Sequence, residues 1–153
     1  MHSSATKHIT YTAICNTNTT TVSPRTYYLR HQILAKKILT PYIYEDDCCV
    51  AFDDNNPQAP VHFLVIPKDK DGANRISQTD EKHKPLLGHL LYVAKHVATT
   101  IKGLCNVRDK NTGLGLGLGG YRIVINDGEI AGQSIPGLCV HVLGGRPLSW
   151  PPG

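Results

Sequence analysis

The chain has 153 residues, of which 41% are apolar and 18% charged, a length and mix that fit one compact domain with a short extension. No apolar run approaches the ~18 to 20 residues of a membrane-crossing helix, so no membrane partner is expected. The net charge of +4 is unevenly placed: residues 1–44 hold Lys7, Arg25, Arg30, Lys36 and Lys37 with no acid, and the remainder is near neutral, without the basic face that sequence-independent nucleic-acid binding needs.

Five cysteines, Cys15, Cys48, Cys49, Cys105 and Cys139, are odd in number and scattered, and no charged, apolar, small-residue signal pattern opens the chain. Reduced thiols in a cytoplasmic or nuclear protein are the expectation. Organellar import is the weaker alternative, because the first 24 residues hold one basic residue, Lys7, where transit peptides are Arg-rich.

In chain order, residues 1–25 form a polar tract, with Asn16 to Thr21 at its centre and Pro24 near its end. It has too little apolar surface to offset its ordering entropy. We read it as a disordered or loosely attached extension to a domain over 26–153. From Tyr27 to Leu39 the residues Leu29, Ile33, Leu34 and Ile38 fall at helical spacing and Pro41 closes the segment, which predicts a short first helix. Tyr42 to Tyr44, the acidic turn Glu45-Asp46-Asp47, and Cys48 to Phe52 predict a hairpin; after the turn cluster Asp53 to Pro57, Val61 to Ile66 adds a third antiparallel strand.

Ser77 or Thr79 is the expected cap of a long helix over about 80–103, with Asp80 and Glu81 in its first turn. Its apolar stripe is Leu86, Leu87, Leu90, Val93, Ala94, Val97 and Ile101, and it should cover one sheet face. Strands over Tyr121 to Asn126 and Leu138 to Leu143 complete an α+β domain with a five-stranded antiparallel sheet and two helices. Gly115-x-Gly117-x-x-Gly120 has the spacing of a dinucleotide fingerprint. It follows a helix and precedes a strand, the reverse of the context in which such glycines deliver a pyrophosphate to a helix N-terminus, and it reads as a connector.

The informative stretch runs Gln133-Ser134-Ile135-Pro136-Gly137-Leu138-Cys139-Val140-His141-Val142-Leu143-Gly144-Gly145-Arg146, then Trp150-Pro151-Pro152-Gly153. Cys139 and His141 alternate with apolar neighbours and so share one sheet face. These residues resemble the histidine triad (HIT) family, specifically its Hint branch of nucleotide-binding phosphoramidate hydrolases, whose signature here is Gln-Ser-x-x-His-x-His-x-His-Val-Leu-Gly-Gly-Arg. The resemblance extends through Glu45-Asp46-Asp47, Pro57 to Pro60, His62 to Pro67, Leu86 to His89 and Tyr121 to Asn126. It implies a HIT-like fold and a homodimer whose sheet continues across subunits through the long helix and the Tyr121 strand.

The departures from the signature carry the chemistry. The first triad histidine falls on Gly137 and the second, the family's nucleophile, on Cys139; only the third is kept, as His141, and another family histidine falls on Arg75. In the family's reaction an imidazole attacks the α-phosphorus, expels an amine and forms a nucleotidyl-histidine that water cleaves. A cysteine begins near pKa ~8.5 and needs positive surroundings to act as thiolate, which His141, His62 or strand amides would have to supply.

By the same resemblance Asp54 accepts hydrogen bonds from the ribose hydroxyls, Asn126, Ser134 and His141 donate to α-phosphate oxygens, and Phe52 and Ile33 wall the base. Structural readings stand beside these. Asp54 and Asn126 also suit plain turns, and His62 suits a satisfied core histidine. His83, His89 and His96, spaced by six and seven, do not converge on one helix face and are expected to be solvated. With one histidine and one cysteine left of the triad, neither metal nor cofactor is expected.

Three functional readings follow. The first is a Hint-like protein that binds a purine nucleoside monophosphate or phosphoramidate, with hydrolysis lost or much reduced. The alternative is a divergent phosphoramidate hydrolase or nucleotidyl transferase using Cys139 as nucleophile with His141, Ser134 and His62; a thiol redox sensor at Cys139 is a third idea. The thiol's surroundings discriminate: cationic and exposed for the enzyme or sensor, apolar for the binder.

Overall fold

A computed structural model describes residue 33 and residues 40–68, 74–104, 119–134 and 137–152. The extension over 1–25 and most of the glycine tract lie outside the described residues, as does the first expected helix apart from the buried Ile33. Five strands form one antiparallel sheet: β1 (Tyr42–Glu45), β2 (Cys49–Asp53), β3 (Val61–Pro67), β4 (Tyr121–Val124) and β5 (Val140–Gly144), in the order β1-β2-β3-β5-β4. The first three make the expected meander. β5 inserts between β3 and β4, which leaves β4 at the sheet's edge.

The register sorts the side chains. Ala51 lies opposite Val65 and Val65 opposite Val140, while Phe63 lies opposite Val142; residues directly opposite share a face. That face is closed by helix α1 (Lys84–His96) and the turn after it, through Leu90, Val93, Ala94, Val97 and Ala98. Phe63, Leu90 and Leu104 are almost completely buried there, each stabilising the fold by about 1.5 to 3 kcal/mol relative to exposure. The other face carries the row Phe52, Leu64, His141 and Val124 across four strands, with Ile33, Val50 and Ile66 packed beside it.

α1 departs from expectation at both ends. Its approach, a 3-10 turn over Glu81–His83, is capped by Asp80, whose carboxylate accepts the Lys82 amide while the His83 ring accepts the Asp80 amide. The expected caps do other work. Ser77 donates from its amide and hydroxyl to Asp127, at 2.9 and 3.0 Å, and Thr79 donates its hydroxyl to the Ile76 carbonyl. At the far end Val97–Ile101 is a π-turn, and its wider winding shifts the apolar stripe: Ala98 is buried and Ile101, expected in the stripe, is exposed.

The helix histidines are also not the solvated set expected. His83 is buried in the cap, His89 bonds to Asp46 at 2.7 Å, and His96 packs edge-on against Tyr44 and flat against Tyr92. Spacing along one helix excluded mutual contact but said nothing of partners on β1 and its turn. Among the described residues no helix is long and apolar enough to cross a membrane.

Candidate nucleotide site

β2 ends at Asp53, and the chain turns immediately. The Asp54 amide donates to the His62 carbonyl at 2.9 Å, and Asp54 Oδ1 accepts the Asn56 amide at 2.8 Å, so this carboxylate does close the turn. The turn then brings the Gln58 amide over the ring of His62, donating to Nδ1 at 3.1 Å. Arg146 reaches back from beyond β5 to the Gln58 carbonyl, at 3.1 Å. Gly145 makes that approach possible: its φ is +87°, and a Cβ there would stand 3.1 Å from Pro60 and 3.3 Å from the Val61 amide.

His62 and His141, 79 residues apart, meet on the face opposite α1, with His62 Nε2 at 3.1 Å from His141 Nδ1. Asp54 Oδ2 lies 3.5 Å from the same His62 nitrogen. Because a backbone amide occupies His62 Nδ1, the His62 proton sits on Nε2 and is donated to His141 Nδ1, which leaves His141 with its own proton on Nε2. Burial, then the neighbouring His62, lower the His141 pKa, against an opposing pull from Asp54. His141 is therefore a neutral ring of defined tautomer with one N–H donor left.

Asp54, His62 and His141 place three ligand-type atoms within 4.8 Å of one another, but the hydrogen bonding does not fit a cation. A bound metal would take the lone pair of His62 Nε2 and force its proton onto Nδ1, against the Gln58 N–H. The two histidines form a hydrogen-bonded pair with the Asp54 carboxylate beside it.

Cys139 packs against the apolar cluster of Ile33, Val50, Phe52, Leu64 and Ile66 and is half-buried. Ile33 and Phe52, the expected base walls, thus lie in the same cluster as the cysteine. Ser134 is exposed in the segment before Gly137, and Asn126, just past β4, donates from Nδ2 to the Gly132 carbonyl at 3.3 Å. No hydrogen bond among the described residues joins either to the histidine pair. Gly137 is buried at φ +119°, its amide 3.3 Å from the Asn74 carbonyl.

Sequence reasoning passed over Gln133 and Gln58. Gln133 accepts the Gly128 amide at 2.8 Å and donates to the Asn74 and Gly137 carbonyls at 2.7 and 3.3 Å, which ties three loops together next to Gly137. Its place in the Gln-Ser motif was the available signal. Arg75 stands in this region as well, where a Cβ on Gly128 would meet its guanidinium at 3.5 Å. Gln58 acts through its backbone amide, which no side-chain pattern reveals.

Comparison with known proteins agrees with this architecture. The HIT domain model matches residues 35–148. A maize protein named 14 kDa zinc-binding protein is 47% identical over 122 residues, covering 80% of this chain and 84% of that one. The Arabidopsis thaliana adenylylsulfatase HINT1 is 44% identical over 122 residues, covering 80% and 74%. Among solved structures, a HIT family hydrolase from Legionella pneumophila superposes with a TM-score of 0.68 at 34% identity, covering 82% of this chain and 98% of that one. Fold, motif order and these similarities agree, and the chain belongs to the HIT family.

Proposed function

We propose that this chain binds a purine nucleoside monophosphate, or a phosphoramidate of one, on the face that carries Asp54, His62 and His141, and that its hydrolytic activity is lost or much reduced. The observation that carries this reading is the setting of Cys139. A working thiolate needs cationic surroundings, whereas Cys139 packs against an apolar cluster and His141, two residues on in β5, has a lowered pKa, so that ring brings no positive charge at neutral pH. The retained His141 Nε2–H suits a phosphate oxygen. Asp54 keeps Oδ2 clear of the Asn56 turn bond and suits a ribose hydroxyl. The adenylylsulfatase relative supports adenylate as the recognised part. Self-association belongs to the same proposal, through β4 and the outward side chains of α1 and its following turn.

Incubating the full chain with an adenosine phosphoramidate while following binding by calorimetry and amine release by chromatography tests the proposal. Saturable binding with no amine release above that of Cys139→Ser is expected. Release that the serine variant abolishes would establish the cysteine-dependent enzyme instead.

A further inference from the structure

The loops at the N-terminal end of β5 converge on one cation, Arg75. A single carboxamide gathers them: Gln133 Oε1 accepts the Gly128 amide at 2.8 Å, and Nε2 donates to the Asn74 and Gly137 carbonyls at 2.7 and 3.3 Å. The Gly137 amide donates in turn to the Asn74 carbonyl, at 3.3 Å, and the Arg75 carbonyl accepts the Gln78 amide at 3.1 Å. The backbone of Arg75 is thus fixed on both sides. Its side chain lies against Gly128, where an added Cβ would stand 3.5 Å from Nη1 and 3.7 Å from Cζ.

Arg75 is half-buried, and among the described residues its guanidinium makes no hydrogen bond or ion pair. The acid beside Gly128 is otherwise engaged: both Asp127 oxygens accept from Ser77, and Glu129 is exposed. Arginines drawn away from water are ordinarily paired. The guanidinium is a permanent cation whose planar fork of N–H donors matches two oxygens of a phosphate. Arg75 falls where the family pattern has a histidine, so a ring that can be neutral is exchanged for a fixed positive charge.

Position decides which phosphate it meets. His62, with Asp54 Oδ2 beside it, lies on β3 opposite Leu143. Passing back along β5 from that level, the chain reaches His141, then Cys139, then Gly137, whose neighbours are Asn74 and Arg75. A nucleotide with its ribose at Asp54 and its α-phosphate at His141 Nε2–H therefore points its next group toward Arg75. Neither Gly137 nor Gly128 interposes a side chain. We propose, resting on the nucleotide reading above, that Arg75 binds the β-phosphate of a nucleoside 5′-diphosphate and so selects diphosphates over monophosphates.

Calorimetric titration of the full chain with ADP and with AMP, in one magnesium-free buffer, tests this. ADP should bind about tenfold or more tightly than AMP, the scale of hydrogen bonds between charged groups. Arg75→Ala should cost ADP about tenfold more affinity than AMP and so abolish the preference. Arg75→Lys, which keeps the charge and loses the fork, should lie between. If Arg75→Ala does not fold, as judged by its far-ultraviolet spectrum, the ³¹P spectrum of bound ADP decides: between wild type and Arg75→Lys the β-phosphorus resonance should move more than the α-phosphorus resonance. Equal affinity of the wild type for the two nucleotides, a preference that survives Arg75→Ala, or a β-phosphorus resonance indifferent to Arg75→Lys would overturn the inference and leave AMP recognition standing. Absence of binding by either nucleotide would overturn both.

Discussion

His62 Nε2 lies 3.1 Å from His141 Nδ1, and the Gln58 amide on the far side of the His62 ring decides which of the two nitrogens carries the proton between them. His62→Ala removes that donor and admits water, and both changes favour protonation of His141. The His141 titration, followed by NMR of the ring carbons, should move up from its lowered position. A midpoint that stays in place or falls would show that the pair is not coupled.

The same lowered pKa sets a pH dependence of stability. A histidine held below its ordinary value of 6.5 binds its proton less readily in the native chain than in the unfolded one. Its contribution is complete above pH 6.5 and is lost as the pH falls through the lower native value. Urea midpoints measured downward from pH 7.5 should decline in that window, and less so in His141→Gln.

Asp46 stands at the centre of four hydrogen bonds: Oδ1 accepts the amides of Cys48 and Cys49, and Oδ2 accepts the Tyr44 hydroxyl and His89 Nε2. Asp46→Asn keeps the Oδ1 bonds but turns the partner of Tyr44 and His89 into a donor, and should cost about 1 to 3 kcal/mol at neutral pH. Because the native carboxyl titrates below its ordinary 3.8, this advantage is complete above pH 3.8 and disappears as the pH falls through the native value. Chemical denaturation of both proteins at neutral and acid pH should show the gap closing.

Gly137 and Cys139 occupy the positions of two family histidines, and restoring them is not equally open. Gly137 has φ +119°, where a side chain costs about 1 to 3 kcal/mol, so Gly137→His should lower stability by that amount. Cys139→His should fold but recover little phosphoramidase activity, because residues that act as a unit are non-additive. Denaturant midpoints and amine-release assays on the single and double variants check both statements.

Asp54 serves the turn through Oδ1. Asp54→Asn retains that acceptor while removing the charge, and should weaken adenosine monophosphate binding by about 1 to 3 kcal/mol, with a smaller loss for the 2′,3′-dideoxy ligand. Equal losses in calorimetry would leave Asp54 as a turn residue.

Self-association should be visible as a dimer by sedimentation at micromolar concentration. Among the described residues β4 stands at an edge of the sheet, and Leu91, Tyr92 and Ile101 project from the helical segment 43%, 63% and 46% exposed; a two-fold contact pairs such a surface with its own copy. Tyr92→Glu should shift the distribution to monomer. A wild-type monomer would refute it.

What the sequence determined by itself was everything carried by local periodicity and motif order. The apolar run in Val61 to Ile66, the alternation in Leu138 to Leu143, the helical stripe from Leu86 to Ile101, and the Gln-Ser and Gly-Gly-Arg motifs were enough to read five strands, a long helix and the family. Period and motif are properties of one segment, and they assign a residue to a face without naming its partner. Only the tertiary structure decided the partners, because strand register and helix docking are set by packing across the whole chain. Register put His62 beside His141, 79 residues away; docking put His89 on Asp46, 43 residues away, with Cys48 beside them; and the cap moved to Asp80 because His83 could answer it. Cys139 was legible as a departure at the nucleophile position, while the apolar cluster around it, which bears on whether the thiol can act, is assembled from residue 33 and from strands distant in sequence.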